Sequence, residues 1–199
     1  MISRCGLCFA RLSEPSLRRF SVSTRDHLGT GGYGVTFKGV DSRNGMEVAC
    51  KCVCLSEGSI SLLRRLRREV GLLEKLAHPN IVKLYGAGMQ GPSYVIVMEL
   101  LHTDLYSIVK RSANGLSPRV ALHYLTDVLR ALAHCHRSGI VHRDVKLENA
   151  MLDDHGRVKL IDFGLALEVD REGQKEEEDL DHTDTMRSVA GSMPYIAPE

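Results

Sequence analysis

Between Val141 and Ala166 the chain reads VHRDVKLENAMLDDHGRVKLIDFGLA. This one stretch sets Asp144, Lys146, Asn149 and Asp162 between short apolar runs. Asn149 and Asp162 are hard oxygen donors, and such a pair suits Mg2+, which keeps several waters and takes few protein ligands. Asp144 is a carboxylate able to accept a proton from a hydroxyl. Lys146 would offset negative charge on a phosphoryl group in transfer.

Further upstream, LGTGGYGV places Gly29, Gly31 and Gly34 at G-x-G-x-x-G spacing. Taken alone that spacing is weak, since it serves dinucleotide folds as well as phosphate-covering hairpins. A dinucleotide fingerprint opens a helix, whereas these glycines sit between β-branched runs, and no Lys-Ser/Thr pair follows as in a Walker loop. Glycines at a hairpin tip let backbone N–H groups approach phosphate oxygens, although a plain glycine turn has the same composition. In VACK, strand alternation puts Ala49 and Lys51 on one face. Glu69 lies in a helical pattern with Leu62, Leu66, Leu73 and Leu76 at −7, −3, +4 and +7, so it belongs to the apolar face. A carboxylate buried there costs on the order of several kcal/mol unless a cation meets it. Lys51 is the natural candidate.

The elements that must position these residues follow from periodicity. DHLGTGGYGVTFKGV and MEVACKCV read as strands joined by DSRNG, whose Asn44-Gly45 is a hairpin signal. A helix is predicted at about 60–77, then strands in IVKLYGA and SYVIVMEL. The next helix starts at LSPRV with Ser117 as N-cap and Pro118 at the first helical position. Val120, Tyr124, Leu125, Val128, Leu129 and Leu132 keep helical spacing until Gly139 ends it. Beyond lie short strands and a long polar segment over 168–188.

Composition excludes several classes. A net charge of +1 over 199 residues gives no bulk attraction to nucleic acid or anionic membrane, so neither is expected as a partner. The longest apolar run, YVIVMELL, is broken by Glu99 and is too short to span a bilayer. Cys5 and Cys8 have no second Cys or His pair at zinc-finger spacing, and Cys50, Cys52 and Cys54 share one strand face where they are poorly placed to pair. Reduced thiols and a cytoplasmic setting are expected. Residues 1–25 hold five arginines against Glu14, the composition of a disordered basic leader, with a mitochondrial presequence as the alternative. Within it, RRFS (18–21) fits an arginine-directed phosphoacceptor, Ser21.

Taken together, GTGGYG, VACK, Glu69, HPNIVKLYG, HRDVKLEN, DFG and APE resemble, in order, the motifs of the eukaryotic protein kinase family. Lys146 and GSMPYIAPE, with Ser192 near the catalytic base, are similar to its serine/threonine branch. HRDVKLEN and KLIDFGLA lean towards the calmodulin-dependent and AMP-activated groups. The resemblance implies an α+β, bilobal fold: a five-stranded N-lobe sheet with one helix over about 26–98, a hinge at 99–103, and an incomplete helical C-lobe over 104–199. It implies ATP and Mg2+ as cofactors and Ser/Thr of a protein as acceptor. Asp144 would be the catalytic base, assisted by Lys146, with Lys51 and Glu69 paired. Asn149 and Asp162 would hold the metal. ATP would meet Leu28, Gly29, Thr30, Gly31, Gly32, Tyr33, Gly34, Thr36, Ala49, Lys51, Met98, Glu99, Leu101 and Met151. Met98 falls at the gatekeeper position, and Leu73, Leu84, His142 and Phe163 match the stack that locks the family's active state. Thr36 stands where the family keeps a valine, placing a hydroxyl in an apolar ceiling.

The segment from Asp162 to Glu199 corresponds to the activation segment. Nine acids between Glu168 and Asp184 face only Arg171 and Lys175, while the helix bearing Glu69 carries Arg64, Arg65, Arg67 and Arg68. The expectation is either two solvated charged surfaces or an acidic loop that docks on the arginines. Arg143 before Asp144 implies a loop ordered by phosphorylation from an upstream kinase, with Ser188 as acceptor and Thr185 and Thr183 as runners-up. Because APE lies mid-domain in the family, the chain reads as a kinase cut after that motif. On that reading Leu125, Leu129 and Leu132 are partly uncovered and the 199 residues alone are poorly soluble and nearly inactive. The alternative function is an inactive kinase-like fragment acting as a binding module.

Overall fold

The structure is a computed structural model, describing residues 12, 14–31, 34–56, 59–169, 192 and 195. It divides into two compact units, one formed by the chain up to Val70 together with Lys83–Leu100, the other by Gly71–Val82 and Leu101 onward.

The first unit is built on a five-stranded antiparallel sheet: β1 (Phe20–Thr30), β2 (Val35–Asp41), β3 (Glu47–Cys54), β4 (Leu84–Gln90) and β5 (Ser93–Glu99), in the order β1-β2-β3-β5-β4. The β2–β3 turn holds Gly45 at φ 71°, a conformation that a side chain strains. Period-two alternation gives the sheet two apolar faces. On one, Val53, Tyr94 and Ile96 pack with Leu66 and Val70 of the helix α1 (Ile60–Lys75). On the other, Cys50 and Cys52 are buried with Val48, Val95 and Val97, while Cys54 is exposed. What covers this second face is the chain ahead of β2: Leu12, Leu17, Phe20 and Val22.

The expectation of a disordered leader through residue 25 is therefore corrected over its second half. β1 begins at Phe20, and these four apolar side chains scattered among arginines and serines find a sheet face to bury. The N-lobe boundary is corrected as well. Residues 71–82 belong to the second unit because they are tied to it by main-chain and amide bonds. Asn80 Nδ2 donates to Val158 O at 2.8 Å, Leu160 N to Asn80 O at 2.8 Å, and Val82 N to Leu160 O at 3.0 Å. Ile81, predicted within a strand, bridges to Leu160 instead, and β4 starts three residues later.

The second unit contains β6 (Thr103–Asp104), α2 (Leu105–Arg111), α3 (Pro118–Arg137), β7 (Ile140–Val141), β8 (Ala150–Leu152), β9 (Val158–Leu160) and β10 (Leu167–Glu168). Ser117 caps α3 through Val120 N, with Pro118 in the first turn. The seven-residue α2, capped by Asp104, is too short for periodicity to reveal. α3 buries Asp127, Ala131 and Cys135, while Leu122, Leu125 and Leu129 remain more than half exposed. Among the described residues no helix is long and apolar enough to cross a membrane.

Candidate active site

In the first unit the β1–β2 hairpin carries the glycines. Gly29 pairs with Thr36 and Thr30 with Val35, and Gly31 N donates to Gly34 O at 2.9 Å to close the turn. Gly32 and Tyr33 lie outside the described residues. Gly34 is required by its own sheet: a Cβ there would stand 2.5 Å from Cys52 O and 2.8 Å from Val53 Cγ2. Leu28, ahead of the glycines, is exposed. The register places Thr36 opposite Lys51 and Ala49 opposite Met98, so these four share one face of the sheet.

On that same unit Lys51 Nζ stands 2.9 and 3.1 Å from the two carboxylate oxygens of Glu69. Glu69 is only 3% exposed, on the apolar side of α1 beside Leu66 and Val70, and the lysine supplies the cation that its burial calls for. Glu99 ends β5, where its Oε1 accepts from Lys83 N at 2.6 Å. Leu84 is half-buried in this unit.

The second unit assembles the rest. β7 pairs with β10 and β8 with β9, and these short ladders fix the two ends of the loop 142–149 and of the segment beginning at Asp162. Buried His142 is held in one tautomer: Nδ1 accepts from Asp144 N at 3.2 Å and Nε2 donates to Ile161 O at 3.0 Å. Phe163 meets its ring edge-on with centroids 4.7 Å apart. Burial pushes the imidazole pKa down, against smaller opposing effects of the Ile161 carbonyl and of Asp162 and Asp144, so the ring is neutral.

Asp144, buried at the centre, is ringed by donors. Lys146 Nζ reaches Oδ2 at 2.7 Å, Asn149 Nδ2 reaches Oδ2 and the Asp144 main-chain oxygen at 2.9 Å, and Ser192 Oγ donates to Oδ1 at 2.8 Å. Lys146 also donates to Ser192 Oγ at 2.7 Å, closing a triangle. Burial by itself would raise the Asp144 pKa. The hydrogen bonds from Lys146 and Ser192, the Lys146 charge and the Asn149 amide outweigh it and hold the carboxyl below the ordinary aspartate range. The arrangement is an ionised carboxylate with one hydroxyl and one ammonium fixed against it. It can accept a proton and stabilise nearby negative charge.

Asn149 spends its amide hydrogens on Asp144, which leaves the oxygen end of the amide for another partner. Asp162 accepts from Gly164 N at 3.3 Å and adopts φ 58°, a left-handed backbone that costs about 1–3 kcal/mol in a non-glycine residue. Arg143 shows the same strain at φ 63°, with Nε donating to Leu165 O at 2.8 Å. Leu73, Leu101 and Met151 also sit in this unit, the first two buried. Ser188, Thr185 and Thr183 lie outside the described residues. Two functional supports escaped the sequence reading: Asn80, and buried Asp127 on α3, whose Oδ2 accepts from Val158 N at 3.1 Å. An acid on an apolar helix stripe was the available signal.

Among known families, residues 22–199 match the protein kinase domain. The chain is 38% identical over 142 residues to cyclin-dependent kinase D-1 of Arabidopsis thaliana, covering 71% of this chain and 36% of that protein. It is 35% identical over 185 residues to cell division control protein 7 of Schizosaccharomyces pombe, covering 92% of this chain and 16% of that protein. It is 38% identical over 158 residues to cyclin-dependent kinase 14 of Xenopus laevis, covering 77% and 36%. None of these three carries the name of the calmodulin-dependent or AMP-activated groups towards which the motifs lean. The chain spans little more than a third of the length of these relatives at most. With the glycine hairpin, the Lys51–Glu69 pair and the Asp144 centre in place, the chain belongs to the eukaryotic protein kinase family, in its serine/threonine branch.

Proposed function

We propose that this chain provides the catalytic domain of an ATP- and magnesium-dependent kinase that phosphorylates Ser or Thr of protein substrates. The observation that carries the reading is the Asp144 carboxylate, kept ionised by Lys146, Ser192 and Asn149. An incoming hydroxyl would give its proton to Asp144 as its oxygen bonds to the γ-phosphorus. The P–O bond to ADP breaks in the same displacement, and Lys146 offsets charge on the transferred group. Asn149 and Asp162 fit a magnesium ion, since each offers a hard oxygen and the ion takes few protein ligands. When bound, it would neutralise phosphate charge. Lys51, oriented by Glu69, would hold the α- and β-phosphates, and the Gly29–Gly34 hairpin would cover them. The resemblance adds Leu28, Thr36, Ala49, Met98, Glu99, Leu101 and Met151 as nucleotide contacts, and an upstream kinase acting on Ser188. Cys50, Cys54 and Cys135, free thiols among the described residues, support a reducing, cytoplasmic setting.

Phosphate transfer from labelled ATP to a Ser/Thr peptide library should be magnesium-dependent and lost in Asp144→Asn. Transfer undiminished in that variant overturns the reading. Exposed Leu122, Leu125 and Leu129 on α3 favour a second reading, a kinase-like binding module. Nucleotide binding without any transfer would select it.

A further inference from the structure

The family match begins at residue 22, yet the first unit starts earlier. Leu12, Leu17 and Phe20 are each no more than 1% exposed and cover the sheet face bearing Cys50 and Cys52. β4 leaves room for this segment. A Cβ on Gly86 would stand 3.0 Å from Leu17 Cδ2, and one on Gly88 would stand 2.6 Å from Glu14 Cγ. Ser42 N donates to Arg19 O at 2.7 Å, and Arg19 Nε lies 3.4 Å from Asp41 Oδ2, in a side chain only 5% exposed. Residues 14–21 thus form a strap clamped onto the sheet. At its end Ser21 is exposed on β1, an edge strand, between buried Phe20 and Val22.

We propose that Ser21 is a phosphorylation site for an arginine-directed protein kinase, and that docking of the strap controls access to it. Arg18 and Arg19 precede the hydroxyl by three and two residues and Val22 follows it, a pattern suited to a peptide groove with acidic pockets and an apolar seat. In the docked strap Arg19 lies within ion-pair distance of Asp41 and both apolar neighbours of Ser21 are buried, so recognition requires the strap and the start of β1 to open. In the transfer, Ser21 Oγ bonds to the γ-phosphorus of ATP held by the modifying kinase. The P–O bond to ADP breaks, and the hydroxyl proton passes to that kinase's own carboxylate base. The product carries roughly −1.5 to −2 charge two residues from Arg19 and competes with Asp41 for its guanidinium. Phosphorylation then favours the open strap.

The test uses the full chain carrying Asp144→Asn, so that any phosphate comes from the added enzyme, the catalytic subunit of cyclic-AMP-dependent protein kinase with labelled ATP. Mass spectrometry should place the label on Ser21, and Ser21→Ala should abolish it. Leu17→Ala should speed labelling by roughly tenfold or more, since such a truncation weakens packing by that order. Gly88→Ala, which crowds Glu14 without removing any core side chain, should speed it too. Phosphorylated chain should exchange the amides of β4 faster than unmodified chain. No label on Ser21 while an Arg-Arg-x-Ser peptide is labelled overturns the site. Equal rates in the parent and in both strap variants overturn the gating.

Discussion

Replacing Ser192 by alanine tests how the base is prepared. The hydroxyl donates to Asp144 Oδ1 at 2.8 Å and accepts from Lys146 Nζ at 2.7 Å, so removing one oxygen atom removes two contacts inside a half-buried, charged triangle. A hydrogen bond to a charged group contributes about 1.5–3 kcal/mol. Lys146 and Asn149 still hold Oδ2, so the lower end of that range is the better expectation. About 1.5 kcal/mol expressed at the transition state is roughly a tenfold loss in kcat/KM. The Ser192 bond is also one of the influences that lower the Asp144 pKa, so its removal raises it. A depressed carboxylate is active above its pKa and loses function as pH falls through it. The acid limb of the pH–rate profile, set below the ordinary aspartate value of about 3.9, should therefore move to higher pH in Ser192→Ala. Ser192→Thr keeps the hydroxyl and should restore both rate and profile. A Ser192→Ala enzyme with unchanged rate and acid limb, or a threonine variant as impaired as alanine, would refute the reasoning.

Three further outcomes are expected. Gly34→Ala drives a methyl to 2.5 Å from Cys52 O and should lower stability by about 1–3 kcal/mol in urea titrations; a neutral effect means the hairpin is free to shift away. His142 is neutral and its pKa lowered by burial, so it contributes stability that is complete above its unfolded value of about 6.5 and is lost as pH falls towards the folded one. The unfolding midpoint should decline below about pH 6.5, and less steeply in His142→Asn; an identical slope removes this histidine as the cause. Thr36→Val should tighten ATP binding slightly in calorimetry, since Thr36 shares a sheet face with Lys51 and Met98, and unchanged or weaker binding rejects the penalty assigned to the hydroxyl.

Local pattern was enough for much of this protein. Alternation in VACKCV separated Lys51 from the buried thiols, and the leucine spacing around Glu69 marked a carboxylate in need of a cation. Both are short-range statements, because a strand or helix repeats its faces every two or 3.6 residues wherever it is placed. The order of the loop residues Asp144, Lys146, Asn149 and Asp162 was likewise legible, since each sits within a few residues of the turn that holds it.

What only the tertiary structure decided depends on partners distant in the chain. Leu12, Leu17 and Phe20 have no period and stand in an Arg- and Ser-rich stretch, so nothing local announces that an open sheet face will take them up. Residues 71–82 join the second unit because Asn80 and Ile81 bond to β9, about eighty positions on. α3 turns Asp127, Ala131 and Cys135 inward while Leu122, Leu125 and Leu129 stay exposed, and Asp127 on the inward face accepts from Val158 N of β9. Ser192 meets Asp144 across forty-eight residues of sequence. A helical or strand period records which side chains share a face; it does not record what that face will meet.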